Sequence, residues 1–216
     1  MEKHHFDKKA IIVFLLILIA WISAWNIKIV LDSNFDVFTD EWLSFLYWTI
    51  AKLIIWILPA LWLVKKNGQT IRDMFNAPSW RNCFAWGFGL GGILMMLSIG
   101  RHYFNHIPIL PSRVSFALVN AIIIAPIFEE FLIRGAIMGA LRQKRSFFFA
   151  NSVSAIFFVI LHFPGWYYTG NLIVSLQTLT GGAAAIFMIG WLCGLAKEKG
   201  KSVTAGIIVH FLNNLI

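Results

Sequence analysis

Residues 114–141 read VSFALVNAIIIAPIFEEFLIRGAIMGAL. A membrane-crossing helix needs about 20 apolar residues at about 1.5 Å of rise each, and this run is long enough. Three ionisable residues, Glu129, Glu130 and Arg134, nevertheless sit inside it. Charges within a span are expensive and mark functional sites by default. A Glu four residues before a basic residue has the favoured helical orientation for an ion pair. Adjacent helical residues point about 100° apart, so both glutamates cannot meet Arg134 equally. The spacing therefore predicts a Glu130–Arg134 pair, with Glu129 left to face a cavity as a proton acceptor. Pro126, three residues before Glu129, predicts a kink that opens room beside it. A purely structural Glu–Arg pair holding helices together accounts for Glu130 and Arg134 and leaves Glu129 unexplained.

The rest of the chain sets this span among others. Of 216 residues, 59% are apolar and 13% charged, with a mean hydropathy of +0.74. Soluble domains are about half apolar and roughly a quarter charged. The composition excludes a secreted globule, a nucleic-acid-binding domain and a disordered tail. It predicts an all-α, polytopic transmembrane bundle of about seven spans, with six to eight as the range. The expected spans are 10–30, 43–64, 83–100, 114–141, 147–163, 172–196 and 203–216. The first follows Lys8 and Lys9, is longer than a signal core and lacks an A-x-A cleavage site, so it reads as an anchor. Alternate breaks are basic: Lys3, Lys8 and Lys9; Lys65, Lys66, Arg72 and Arg81; Arg142, Lys144 and Arg145; Lys197, Lys199 and Lys201. The intervening breaks are acidic, weakly basic or, at 164–171, uncharged. The positive-inside rule then predicts a multi-pass protein of the cell membrane with a cytoplasmic N-terminus, and the net charge of +8 reports topology, not nucleic acid. The two cysteines, Cys83 and Cys193, form neither a disulfide framework nor a CxxC site. No repeat or linker divides the chain. It reads as one integral membrane domain, with residues 1–113 as weakly diagnostic helices and 114–216 as the motif-bearing core. Gly87, Gly89, Gly91 and Gly92 are expected to loosen the third span, and Gly135 with Gly139 forms a small-xxx-small step for close helix contact.

Further polar residues fall in the later spans. His162 follows Phe158 by one turn, and His210 precedes Asn214 by one turn on a shared face. A lone histidine or asparagine near a helix end is ordinary, whereas two glutamates, two histidines and an asparagine on three spans predict a polar cluster. His4, His5, His102 and His106 lie in a tail or loop and read as solvated surface.

Together Glu129-Glu130-x-x-x-Arg134, Phe158-x-x-x-His162 and His210-x-x-x-Asn214 resemble the CAAX protease and bacteriocin-processing family of intramembrane proteases, also called the Abi family. The resemblance covers residues 114–216 and departs from the EExxxR, FxxxH and HxxxN pattern at none of these positions. It implies a helical bundle with a polar intramembrane cavity and an endopeptidase that cuts a membrane-associated or lipidated protein or peptide. Glu129 with His162 would activate water, His210 and Asn214 would stabilise the oxyanion, and Glu130, Arg134 and Phe158 would orient the site. A second scheme has Glu129, His162 and His210 bind a divalent metal such as zinc, although no HExxH pairing is present. The implied partners are the lipid bilayer and a peptide or membrane-protein substrate, with no nucleic acid. The alternative is a non-catalytic self-immunity or scaffold protein. A proton-coupled transporter is disfavoured because no inverted repeat is visible. The expected boundaries raise one difficulty. They put His162 about 24 Å from Arg145, His210 about 13 Å from Lys201 and Glu129 about 18 Å from Leu141, which are unequal depths.

Overall fold

A computed structural model describes residues 8–109 and 113–216. Among these residues there are helices and connecting turns and no strand. The principal helices are α1 (Lys8–Asn34), α2 (Glu41–Lys66), α3 (Trp80–Phe104), α4 (Phe116–Arg142), α5 (Phe147–Tyr168), α6 (Ala183–Gly200) and α7 (Val203–Asn214). The first five are long and apolar enough to cross a membrane, and α7, with 12 residues, is shorter than a span. Leu15, Leu16, Ile19, Ile54 and Leu97 are exposed on the outside. Such an apolar exterior suits a lipid solvent and would be an aggregation hazard in water. The chain is thus an all-helical, multi-pass membrane protein.

One core joins both halves of the sequence. Phe14, Ile17 and Trp21 of α1 and Trp56 and Leu63 of α2 pack with Leu132, Ile133 and Ile137 of α4, Phe158 of α5 and Val203 of α7. The N-terminal helices therefore lie against the helix that carries the acid pair. Both cysteines are buried and unpaired.

Two features of the long helices follow from proline. Within α2 and α4, Leu53–Ile57 and Asn120–Ile124 adopt the wider π geometry, just before Pro59 and Pro126. Proline lacks an N–H and its ring crowds the carbonyl four residues earlier. Those carbonyls belong to Ile55 and Ile122, each inside a π segment, so widening the helix relieves the clash. A third π segment, Phe131–Ile137, directly follows Glu130. On both sides of Pro126 the chain makes local π turns.

Two expected boundaries are corrected. Helix α5 runs through Pro164 to Tyr168, so the break expected at 164–171 is shorter. Residues 172–196 are not one span: a short helix, Leu172–Gln177, is separated from α6 by the turn 178–182. Gly181 there has a φ of +81°, and a Cβ on Gly182 would lie 2.3 Å from the Ser175 carbonyl oxygen. At the α6–α7 turn, Ser202 is buried although Lys199 and Lys201 beside it are exposed. Ser202 is 1% exposed, and its hydroxyl donates to the Phe75 carbonyl at 2.8 Å. That carbonyl ends a short helix, Ile71–Phe75, started by a Thr70–Asp73 capping box. The Thr70 hydrogen bonds hold the Asp73 carboxyl below its ordinary value.

Glycines make the tight seams, and not by loosening α3. That helix is continuous, and a Cβ on Gly87 would meet Ile208 at 3.0 Å while one on Gly91 would meet Leu212 at 2.8 Å, so both press α3 onto α7. Gly89 and Gly92 face open space. On α4, Gly135 and Gly139 sit under Met74 and Gln69 of the α2–α3 connection.

Candidate active site

The acid pair is divided by the helix that carries it. Glu130 and Arg134 are both fully buried, and Arg134 Nη1 lies 3.1 Å from Glu130 Oε1. Arg134 Nη2 donates to the Gly190 carbonyl of α6 at 2.5 Å. The guanidinium also stacks over the Phe158 ring of α5 at 4.5 Å. A planar, permanently charged fork can stack its face on a ring while two separate edge nitrogens reach two different acceptors, which the single nitrogen of an ammonium cannot match in geometry. This arrangement needs Gly190 to lack a side chain, because a Cβ there would stand 2.7 Å from Arg134 Nη2 and 2.9 Å from Phe158 Cδ1. Gly190→Ala is expected to destabilise the fold by about 1–3 kcal/mol, the usual effect of overpacking. Thermal unfolding in detergent checks this, and Gly89→Ala, which meets nothing, should leave the midpoint in place.

The histidines are oriented by acceptors. His162 Nδ1 lies 2.8 Å from the Phe158 carbonyl oxygen. A carbonyl can only accept, so Nδ1 carries the hydrogen and the neutral ring keeps the Nε2 lone pair as a proton acceptor. His210 Nδ1 lies 3.1 Å from Glu130 Oε1, and its Nε2 is 3.9 Å from Glu129 Oε2. Each ring nitrogen of His210 thus faces a carboxylate. Phe158 stands between the two imidazoles, edge-on to His162 at 5.0 Å and to His210 at 5.5 Å. Glu130, Arg134, His210 and Phe158 form a closed cluster. Glu129 instead lines a cavity of about 170 Å³ with His162, Lys52 and the tryptophans Trp21, Trp25, Trp56 and Trp166.

Asn214 stands apart from this group. Its amide donates to the Ala121 carbonyl at 2.8 Å, and its Oδ1 accepts from Asn213 at 3.0 Å.

The depth difficulty has a structural resolution. Glu129 lies 13 residues (142 − 129) before the end of α4, and His162 lies 15 (162 − 147) after the start of α5. Those are about 20 and about 22 Å, nearly level. His210 is only about 10 Å along α7, yet its Nε2 lies 3.9 Å from Glu129 Oε2, so the fold brings the two to one level.

Sequence reasoning missed Lys52. It belongs to α2, outside the motif-bearing half, and in the sequence it is one cation in a long apolar run. Lys52 is 6% exposed. Its ammonium donates to Asn120 Oδ1 at 3.3 Å and lies 5.3 Å from the Trp56 ring centre. Glu129, Glu130 and Arg134 are therefore not alone as buried ionisable side chains of the expected spans. Lys28, inside the first expected span, is also buried and pairs with Asp32.

A divalent metal suits these residues poorly. Among the described residues, the ligand atoms that lie within 4.8 Å of one another belong to Glu130, Cys193 and His210, not to Glu129, His162 and His210. Glu130 already faces the Arg134 guanidinium at 3.1 Å, and that permanent positive charge opposes a second cation on the same carboxylate.

The fold and this cluster define a multi-pass membrane protein with a buried acid–guanidinium–imidazole centre between α4, α5, α6 and α7. Residues 111–216 match the family described as "Type II CAAX prenyl endopeptidase Rce1-like". It is also similar to "Putative membrane peptidase YdiL" of Bacillus subtilis (strain 168), with 38% identity over 69 residues, 31% of this chain and 28% of that protein. The chain's match thus spans less than a third of that relative's length. No solved structure matches.

Proposed function

We propose that this chain is an intramembrane endopeptidase of the CAAX type. It hydrolyses a peptide bond of a lipidated or membrane-associated substrate, using water activated by Glu129 and His162 without a metal. The observation that carries the reading is the division of two adjacent glutamates. Glu130 is committed to Arg134 and His210, whereas Glu129 lines a cavity beside the acceptor nitrogen of His162.

In this reading Glu129 removes a proton from water, His162 Nε2 accepts a hydrogen bond from the same water, and the closed cluster fixes the backbone of α4 so that Glu129 keeps its aim. His210 Nε2 is near enough to Glu129 to contact the reacting group from the α7 side. The alternating basic breaks support a cytoplasmic N-terminus in the cell membrane.

The test uses purified protein in detergent with an internally quenched peptide ending in an S-farnesylated CAAX sequence. Cleavage that persists at full rate after prolonged chelation, with no stoichiometric metal in the preparation, is the expected result. Activity that is lost on chelation and restored by zinc would overturn the metal-free scheme. Absence of cleavage by the untreated protein would count against this substrate class.

A further inference from the structure

The cavity holds a buried cation that the matched region does not include. Lys52 lies in α2, and the family match begins at residue 111. Lys52 and Glu129 line one small cavity, yet their charges do not close into an ion pair. Opposite charges in a low-dielectric site attract strongly, so something must hold them apart. Two contacts do so on the lysine side, the Asn120 amide oxygen and the face of Trp56. Both are contacts that an ammonium makes. Lys52 directly precedes the π segment 53–57 and Asn120 opens the π segment 120–124. Their positions therefore depend on the two proline-linked distortions.

The cavity lining supplies acceptors, the Glu129 carboxylate and His162 Nε2. It also supplies a cationic donor, Lys52. A cavity lined by both a base and a cationic donor fits a group that is attacked at carbon while its oxygen gains charge. Asn214, which the resemblance suggested for that oxygen, has its amide on the Ala121 carbonyl.

We propose that Lys52 is a catalytic residue, whose ammonium holds the scissile carbonyl oxygen and the oxyanion formed from it. This rests on the peptidase reading above. Glu129 takes a proton from water as the water oxygen bonds to the carbonyl carbon. The carbonyl π electrons move to oxygen, which Lys52 stabilises. Collapse of this intermediate restores the C=O bond and breaks the C–N bond. The leaving nitrogen takes the proton held by Glu129, giving a carboxylic acid and an amine, and the acid's own proton then passes to the amine to leave a carboxylate and an ammonium.

The test starts from membranes carrying the wild type or Glu129→Gln, compared by mass spectrometry for new peptide termini. A terminus that depends on Glu129 identifies a substrate, which is then made as an internally quenched probe for purified enzyme. Removal of one oxyanion donor lowers kcat by about 10²–10³-fold. Lys52→Met is expected to lower kcat on that scale with KM nearly unchanged. Lys52→Arg, which keeps the charge, should recover part of the rate and serves where Lys52→Met fails to accumulate. A Lys52→Met enzyme with normal kcat and raised KM would make Lys52 a substrate-binding contact and overturn the proposal. Normal values of both, or an Arg variant as slow as the Met variant, would also overturn it. If no terminus depends on Glu129, the peptidase reading fails and takes this proposal with it.

Discussion

Glu129→Gln is expected to abolish hydrolysis while the protein still folds and accumulates in the membrane. Loss of a positioned general base lowers rate by about 10²–10⁴-fold. Glutamine preserves the size of the side chain and removes only its capacity to take a proton. The fold should tolerate this, because Glu129 does not contact Arg134: its carboxylate lies 3.9 Å from His210 Nε2 and lines the cavity. The check is turnover of a cleaved peptide set beside thermal unfolding of the same preparation. Turnover should fall to background while the unfolding midpoint stays close to that of the wild type. A variant that cleaves at the wild-type rate would remove Glu129 from the mechanism. One that fails to fold would make it a structural residue.

Arg134→Met is expected to have the opposite signature, in which stability is lost first and activity falls as a consequence. Arg134 is 0% exposed and faces the equally buried Glu130. Removing one partner of a buried pair leaves an uncompensated charge, which typically destabilises by about 3–5 kcal/mol. The Gly190 carbonyl and the Phe158 ring would lose their partner as well. Arg134→Lys should restore little, because an ammonium cannot stack on Phe158 and reach both Glu130 and Gly190. Combining Glu130→Gln with Arg134→Met removes both charges, and the double variant should be more stable than Arg134→Met alone. Thermal unfolding in detergent gives the ranking. An Arg134→Met protein as stable as the wild type would contradict the view that this pair locks α4 to α5 and α6.

What the sequence disclosed was local. The i,i+4 step from Glu130 to Arg134 and the angular offset of Glu129 both follow from helical geometry alone. Hydropathy located α1 to α5 because each carries its own apolar signal. What stayed hidden depends on contacts between distant segments. Lys52 reads as one charge in an apolar run until α2 is packed against α4, where it meets Asn120 across 68 residues of chain. Gly190 reads as an ordinary helix glycine until Arg134 lies above it. The α6–α7 turn carries Lys199 and Lys201 and so reads as a surface loop, yet Ser202 is tucked onto the end of a five-residue helix. The prolines at 59 and 126 were visible, but π turns as the means of accommodating them were not. The burial penalty makes Glu129, Glu130 and Arg134 conspicuous in the sequence, whereas the role of Gly190 depends wholly on what packs against it.

The central claim is that Glu129 is the base of a peptidase, and one measurement addresses it directly. Membranes from otherwise identical cells expressing the wild type or Glu129→Gln at matched levels would be compared for new peptide termini by mass spectrometry. The account expects a set of cleavage products from membrane-associated or lipidated proteins with the wild type and their absence with the variant. Identical terminus profiles from the two membranes would contradict it.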